Sequence, residues 1–541
     1  MSASGPAGPA FAAPAALARP GVDAERRGRS VLLAGLIVGS IGLYALRLGT
    51  GAQIGVSHDD AVYLILAESF DVGAPLRMVN EPSAPLQTLW PPGYPLFVLA
   101  PLWRVLGPNL PAIALSSALL GGLAVALLYL FARRSLAGPA LAAVLGLTAV
   151  NAGFAGLASR VMSDIAFVCF VLGSMLLVRR ALDAAPPSRV WWLAAAGLAL
   201  GATVLVRYQG LALVAAVGLW LWLRGERRAI PVVAGAALVP LAGFGLFLVA
   251  GGVASPGEMS ATTMMGGRMA SLVANLPATL RAYFEVVPAH FMPLVGPGAL
   301  AWLKGVGLGW LPALALVLWV PILAGLRAGL ARRDLGALFL LCYFPLVVVT
   351  TGRIAGVAVF DEPRYVAAAV PFLVLCFVEG VLLLAARLPR ADAAAVAIVL
   401  VVGLANAYRN ARDVRSEFPV PDLGAGAAWL QANTPPEAVV MTADAAPRYL
   451  YLRRRTVPMP AGSAADVLCA AQEQADYLLI APPLTIGRRP NTDGALEPTV
   501  ADDLLPALGR DPARFETVYA EPRANLQIMR LLAPAPASEC M

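Results

Sequence analysis

Long apolar runs fill most of the chain between residues 31 and 408 and constrain its fold more than any other feature. A transmembrane helix needs about 20 apolar residues. Eleven runs approach or exceed that length, at 31–49, 111–132, 137–157, 163–181, 190–206, 209–224, 230–251, 307–328, 335–351, 365–387 and 391–408. Only 13% of the 541 residues are charged, against about 25% in soluble domains. We therefore expect a polytopic α-helical membrane protein.

The segment 92–107 is an exception among the apolar runs. Its length corresponds to a helix of only about 24 Å, which is shorter than the bilayer core, and it contains Pro92, Pro95 and Pro101. We expect a juxtamembrane or re-entrant helix here. Depending on whether this segment crosses the membrane, the sequence predicts about 11–13 transmembrane helices.

Arginines in the short loops between the runs predict the orientation, because basic loops stay cytoplasmic. They include Arg133, Arg134, Arg179, Arg180, Arg224, Arg227, Arg332, Arg333, Arg387 and Arg390. Residues 1–30 are expected to form a disordered, basic, cytoplasmic N-terminus. The outer loops 50–91 and 253–305 then lie outside the plasma (inner) membrane. The net charge of +7 follows from topology and does not indicate a nucleic-acid partner.

Residues 409–541 are more polar and predict a small extracytoplasmic α/β domain joined to the transmembrane domain 31–408. We expect helices at Ala425–Asn433 and Ala464–Gln474, and strands at Ala438–Thr442 and Tyr477–Ile480. Cys469 and Cys540 lie in this domain, and they can pair if it is extracytoplasmic.

The run Ser57-His58-Asp59-Asp60-Ala61-Val62-Tyr63 is the main candidate for chemistry. Asp59 or Asp60 can act as a general base toward an acceptor hydroxyl. Asp60 with His58 can hold a divalent metal such as Mg²⁺ or Mn²⁺. The alternative is that these acids only cap a helix, in this case an amphipathic helix over 61–70 on the membrane surface. Asp164 begins a later run on the same predicted side, and two converging acids make a better site than one.

Other polar and aromatic residues lie at the same predicted ends of the spans. Trp90 and Tyr94 can stack on a sugar ring or sit in the interfacial aromatic belt. Arg207, Arg364 and Lys304 can bind a lipid phosphate or merely anchor helix ends. Lys304 is the only lysine in the chain. Arg364 can also pair with its neighbours Asp361 and Glu362.

Taken together, these motifs resemble the type-C membrane glycosyltransferases, in particular glycosyltransferase family 39, over about residues 30–460. That family includes protein O-mannosyltransferases and the transferases that add aminoarabinose to lipid A. The matching elements are Asp59-Asp60-Ala61-Val62-Tyr63, Pro91-Pro92-Gly93-Tyr94-Pro95, Arg160 to Asp164, Arg364-Tyr365 to Pro371, and Ala428-Trp429-Leu430-Gln431-Ala432-Asn433-Thr434-Pro435. The chain has Leu89-Trp90 where some relatives have Glu or Lys.

The resemblance implies transfer of a sugar from a polyprenyl-phosphate donor to a hydroxyl on the outer face, with inversion of the anomeric centre. It implies Asp59 as base, and Asp60 and Asp164 as ligands of substrate or metal. Arg160, Arg207, Lys304, Arg364, Tyr63, Trp90, Tyr94 and Tyr365 would bind substrates. The large inserted domain of protein O-mannosyltransferases is absent, so a lipid or glycan acceptor is favoured over a protein.

Two other classes of protein stay open. A membrane transporter or lipid-linked glycan flippase would place charges near the bilayer midplane and commonly contains inverted repeats. The acids in this chain fall at span ends and no repeat is visible. A polysaccharide ligase or polymerase would share the membrane face and the donor type with a glycosyltransferase.

Overall fold

The structure is a computed structural model. It describes residues 22–48, 54–55, 57, 59–87, 89–251, 261–293, 316–350, 362–415, 424–460, 464–483, 485–486, 489–490, 496, 499–510 and 514–532. His58, Lys304 and Cys540 lie outside these ranges. Long helices dominate up to residue 415, and mixed helices and strands follow. The fold class predicted from the sequence is therefore confirmed.

The membrane domain is a bundle of long apolar helices. They are α1 (Val22–Arg47), α4 (Leu110–Ala132), α5 (Gly138–Val150), α6 (Ala152–Ala158), α7 (Ser163–Asp183), α8 (Pro186–Val206), α9 (Leu211–Leu223), α10 (Ala229–Ala250), α11 (Ala261–Phe291), α12 (Trp319–Ala331), α13 (Leu335–Thr350), α14 (Glu362–Ala385) and α15 (Ala391–Arg415). Among the described residues, seven helices are long and apolar enough to cross a membrane. The number rises to nine if two bent pairs each count as one span.

Two parts of the bundle differ from simple spans. Helices α5 and α6 are bent by 59° at Asn151, and α12 and α13 by 118° around Arg333. The segment 253–305, which the sequence suggested as a long loop, contains the 31-residue helix α11. Three threonines, one serine and two prolines in α11 lower its hydropathy, which explains why the apolar pattern does not reveal it.

A short layer of helix covers one end of the bundle. It consists of α2 (Asp59–Asp71), a π-helical turn (Pro95–Leu99) and α3 (Ala100–Leu106). The segment 95–106 packs on α2, and its juxtamembrane or re-entrant placement stays a prediction. Helix α2 does not present an amphipathic face to the membrane surface, because every residue from Ala61 to Ala67 is buried.

The C-terminal domain is built on a five-stranded sheet in the order β2-β1-β3-β7-β6. Strands β1 (Val439–Thr442), β2 (Arg455–Pro458) and β3 (Tyr477–Ile480) are parallel, while β7 (Leu526–Leu531) and β6 (Phe515–Glu521) add an antiparallel edge. In the described part of this domain, four α-helices accompany the sheet, namely α16 (Gly424–Asn433), α17 (Ala445–Leu452), α18 (Ala464–Gln474) and α19 (Leu505–Arg510). The short strands β4 (Thr485–Ile486) and β5 (Arg489–Pro490) form a separate ribbon. Cys469 in α18 is disulfide-bonded.

The C-terminal domain sits directly on the α2 layer. The Thr456 N–H donates to the carbonyl of Asn80 at 2.7 Å, and the Tyr451 hydroxyl donates to the carbonyl of Ile54 at 2.8 Å. Arg453 reaches Glu68 at 3.4 Å. Since loop 50–91 and the C-terminal domain touch, they lie on the same side of the bundle.

Candidate active site

Four charged side chains from distant parts of the chain meet at the end of the bundle beneath the C-terminal domain. Arg364 donates from Nη1 to Asp59 at 2.9 Å and from Nε to Asp164 at 2.9 Å. Arg207 donates from Nη1 to the other oxygen of Asp164 at 2.6 Å. The two acids that the sequence places on one side are thus joined by one guanidinium group, and Arg364 does not depend on its sequence neighbours for a partner.

Local helix chemistry explains this arrangement. Asp59 and Asp164 lie in the first turns of α2 and α7, where the positive end of the helix dipole favours a carboxylate. Arg207 follows the last residue of α8, where a cation is favoured. Arg364 lies in the first turn of α14, where the helix dipole disfavours a cation. The carboxylates of Asp59 and Asp164 compensate for this.

The two carboxylates differ in access to solvent. The Asp164 side chain is fully buried under its two arginines, whereas 25% of the Asp59 side chain is exposed. The Trp90 indole N–H donates to Asp59 at 3.1 Å and fixes its orientation. Asp59 is therefore the member of the pair that can meet a substrate, and Asp164 holds the arginines in place.

A close backbone contact sets the position of Trp90 relative to Arg207. A Cβ atom added to Gly93 would lie 2.5 Å from the backbone nitrogen of Val206. Only glycine allows the turn after Trp90 to approach the end of α8 so closely. The Pro-Pro-Gly sequence of this turn therefore serves the geometry of the site.

Asp60 points away from the arginine cluster. Its carboxylate accepts the N–H groups of Gly55 at 3.0 Å and Ala61 at 2.8 Å, so it ties the preceding loop to the start of α2. Burial, assisted by the nearby charge of Asp59, raises the pKa of Asp60 to about 6, although the two amide hydrogen bonds and the charge of Arg160 oppose the shift. A group with this pKa changes protonation close to physiological pH.

The predicted aromatic residues take different places. Tyr94 is fully buried and packs edge-on against Tyr63, with ring centroids 5.2 Å apart. It can neither stack on a sugar nor sit in an interfacial belt, so both expectations for Tyr94 are wrong. The Tyr63 hydroxyl shares a hydrogen bond with Ser163 at 3.1 Å, which makes it a support of the site. The Tyr365 ring lies 5.2 Å from the Arg207 guanidinium.

Two further residues, Ser163 and Arg160, lie near the cluster. Ser163 is fully buried, meets Tyr63, and accepts a hydrogen bond from Arg207 at 3.2 Å. The sequence feature that indicates a role for Ser163 in the site is its position immediately before Asp164. Arg160 keeps an exposed surface and its charge acts on Asp60, but desolvation by the surrounding protein lowers the pKa of its guanidinium group. No ion pair involves Arg160 among the described residues.

The described residues do not fit a divalent metal site. They contain no group of three or more His, Cys, Asp or Glu side chains able to hold a metal ion. Both oxygens of Asp60 face backbone amides, and Asp59 and Asp164 face guanidinium groups. The charge of Arg364 already occupies the space between the two acids where a cation would bind. His58 lies outside the described residues.

This fold has counterparts among solved membrane proteins. ArnT from Cupriavidus metallidurans in the apo state is 15% identical, covers 95% of this chain and 100% of its own, and gives a TM-score of 0.54. The fold is that of a type-C membrane glycosyltransferase. The same ArnT bound to undecaprenyl phosphate gives a TM-score of 0.52 at 13% identity, with 94% of this chain and 99% of that chain covered.

A third solved structure and a family model agree with this type-C fold. The Archaeoglobus fulgidus oligosaccharyltransferase tethered to an acceptor peptide is 14% identical, covers 84% of this chain and 69% of its own, and gives a TM-score of 0.51. In sequence, residues 91–250 match the family of dolichyl-phosphate-mannose-protein mannosyltransferases. Comparison with curated protein sequences finds no match. The resemblance to type-C glycosyltransferases predicted from the motifs is thus confirmed, and these matches support a membrane glycosyltransferase.

Proposed function

We propose that this protein transfers a sugar from a polyprenyl-phosphate donor to a hydroxyl group of a lipid or glycan, on the outer face of the plasma membrane. The observation that carries the proposal is the cluster of Asp59, Arg364, Asp164 and Arg207 at one end of a type-C fold. The ArnT structure with undecaprenyl phosphate supports the class of donor. A site at the end of the bundle suits a donor whose phosphate lies among lipid headgroups.

Asp59 is assigned to the acceptor. The acceptor hydroxyl attacks the anomeric carbon from the face opposite the phosphate, and its proton passes to the exposed carboxylate of Asp59 as the new glycosidic bond forms. The bond between the anomeric carbon and the phosphate oxygen breaks, and polyprenyl phosphate leaves. Attack from the opposite face inverts the anomeric centre. Trp90 holds the carboxylate in the orientation that this step requires.

Arg160 is assigned to the leaving phosphate. The charges of Arg207 and Arg364 are engaged by the two acids, whereas Arg160 is exposed and has no ion pair among the described residues. A cation placed where charge develops stabilises the transition state more than the ground state. No step is assigned to a metal, because guanidinium groups occupy the positions beside Asp59 and Asp164 where a cation would bind.

The decisive experiment is incubation of the purified protein with a panel of polyprenyl-phosphate sugars and hydroxyl acceptors. We expect release of polyprenyl phosphate with at least one donor, and formation of a product that carries one added sugar. Repeated addition to one acceptor would assign a polymerase instead. Turnover of a nucleotide sugar, with none of any lipid-linked donor, would overturn the proposal.

The side of the membrane has its own test. Single-cysteine variants in the C-terminal domain should react with a membrane-impermeant maleimide in intact cells whose outer barrier has been opened. A cysteine at Arg387, in a loop at the other end of the bundle, serves as the control and should react only after the plasma membrane is permeabilised. The reverse pattern would contradict the outer placement of the site.

A further inference from the structure

A second charged cavity lies at the end of the bundle opposite the candidate active site. Asp164 begins α7 and Arg179 lies near its end, so the helix itself separates the two places by about 22 Å. The cavity has a volume of about 200 Å³ and lies between the ends of α4, α7 and α9 and the turn from α12 to α13. We call it the arginine cleft, lined by Arg134, Arg179, Arg224, Arg332 and Arg333.

The arginine cleft carries more positive than negative charge. Among the residues that the structure describes, two carboxylates line it, against five guanidinium groups. Three of the five arginines have an acidic partner, in the pairs Arg134–Asp183, Arg179–Asp334 and Arg332–Glu379. Arg224 and Arg333 have no acidic partner among the described residues. Two positive charges in the cleft are therefore uncompensated.

Aromatic rings and backbone carbonyls position several of the guanidinium groups, although four of the five arginines are exposed to solvent. Arg179 lies 3.9 Å from the centre of the Phe131 ring and donates to the Phe131 carbonyl at 2.9 Å. Arg224 lies 4.5 Å from the centre of the Trp220 ring. The Trp220 indole in turn donates to the carbonyl of Arg333 at 3.0 Å. The Trp220 ring thus orients Arg224, and its indole N–H holds the turn that carries Arg333.

Arg333 has a backbone conformation that is rare for its residue type. Its φ angle is 54°, in the left-handed region that glycine and asparagine tolerate best. Its Nη1 donates to the carbonyl of Leu223 at the end of α9 at 2.6 Å, which keeps the side chain at the cleft. A long cation in a strained position is a reason to look for a role of its side chain.

We propose that the arginine cleft binds a phosphate-bearing anion, supplied by the headgroup of an anionic phospholipid in the leaflet at this end. Planar guanidinium groups match the geometry of phosphate oxygens. Basic pockets between transmembrane helix ends suit such headgroups. The exposed Trp222 on α9 is typical of the level of the headgroups. A free phosphate anion has the same chemistry and is the second source to be tested. This proposal does not rest on the glycosyl transfer reaction.

The test uses the full chain, delipidated in a neutral detergent. Native mass spectrometry measures retention of phosphatidylglycerol against phosphatidylcholine, and thermal stabilisation measures binding of inorganic phosphate. The test variant is Arg224→Gln with Arg333→Gln. Its matched control is Arg387→Gln with Arg390→Gln, which removes the same charge from exposed arginines at the same end of the bundle, outside the cleft.

We expect selective retention of phosphatidylglycerol by the unmodified protein and the control. Its affinity should fall about fivefold for each cleft arginine that is neutralised, and it should fall as ionic strength rises. Binding of inorganic phosphate that is lost in the same variant, without a preference for phosphatidylglycerol, would assign the cleft to a free anion. Equal behaviour of the two double variants, or no preference for any anion, would show that these arginines only set topology and would overturn the proposal.

A third variant separates binding from folding. Arg333→Gly removes the charge and also relieves the backbone conformation at this position. We expect weaker binding of phosphatidylglycerol with a melting temperature equal to or above that of the unmodified protein in the absence of lipid. A large loss of melting temperature with unchanged lipid affinity would mean that Arg333 acts only as a structural support, which would contradict its assigned role.

Discussion

The two ends of the bundle both hold arginines and aspartates, but with different balances of charge. In the candidate active site, Asp59 and Asp164 neutralise Arg207 and Arg364, and one carboxylate remains accessible. In the arginine cleft, two arginines have no acidic partner in the described part of the chain. The comparison separates two uses of the same residue types. Balanced charge orients a reactive carboxylate, whereas excess positive charge creates a place for an anion.

The largest expected effect concerns the accessible carboxylate. Asp59→Asn should lower the rate of glycosyl transfer by about 10²–10⁴-fold, as is usual when a general base is lost. Expression, insertion and melting temperature should change little, because 25% of this side chain is exposed and Trp90 can still contact the amide. Polyprenyl phosphate release measures the rate. Activity close to that of the unmodified protein would remove Asp59 from the mechanism.

The buried acid should behave differently. Asp164→Asn leaves Arg207 and Arg364 without the charge that both contact, so it should lower the free energy of unfolding by about 3–5 kcal/mol as well as abolishing transfer. The matched change at the opposite end is Asp183→Asn, which breaks a half-exposed pair with Arg134. It should cost no more than about 1 kcal/mol. Denaturant titration of both variants measures the contrast, and equal losses would contradict it.

Asp60 should make stability depend on pH. Its folded pKa is about 6 and its ordinary value is 3.8, so between these pH values the folded protein keeps a proton that the unfolded chain has released. The free energy of unfolding should therefore fall as pH rises from about 4 to 6, by about 3 kcal/mol, and Asp60 should contribute no further change above that window.

The matched variant for this pH effect is Asp60→Asn, which does not titrate. Melting temperatures from pH 4 to 8 should lose the decline between pH 4 and 6 in this variant, relative to the unmodified protein. Substitution also disturbs one of the two amide hydrogen bonds, so the slope against pH is compared, and not the absolute stability. An unchanged slope would show that Asp60 ionises at the same pH in the folded and the unfolded protein.

The parts predicted well from the sequence depend on local signals. The helix Ala464–Gln474 and the strand Tyr477–Ile480 have the predicted bounds, because periodicity and flanking residues define them within a few positions. The alternating arginine loops predict one common side for the loop that holds Asp59 and for the span ends near Asp164, Arg207 and Arg364, and these four side chains do meet. Short stretches of sequence are enough to predict helix ends and topology.

The parts predicted poorly depend on contacts between distant segments. Arg364 contacts carboxylates 305 and 200 residues away, and no local pattern indicates which acid it joins. The sequence predicts an amphipathic α2, yet α2 is buried because α3, the π-helical turn before α3 and the C-terminal domain all pack on it. The sequence also allows an interfacial position for Tyr94, which is buried because it packs against Tyr63 on α2. Sequence reasoning identified the charged residues of the site but not their pairing or their depth.

The smallest expected effect tests how finely Asp59 is oriented. Trp90→Phe keeps an aromatic ring of similar placement but removes the N–H that donates to Asp59 at 3.1 Å. A hydrogen bond to a charged group contributes about 1.5 kcal/mol or more, so kcat should fall about tenfold while the melting temperature and the KM for the lipid-linked donor stay nearly constant. The fall should be absent in a protein that already carries Asp59→Asn, because Trp90 acts through that carboxylate. A further loss in the double variant, or a rise in KM alone, would show that Trp90 contacts the substrate directly and would return it to the sugar-stacking role that the sequence allowed.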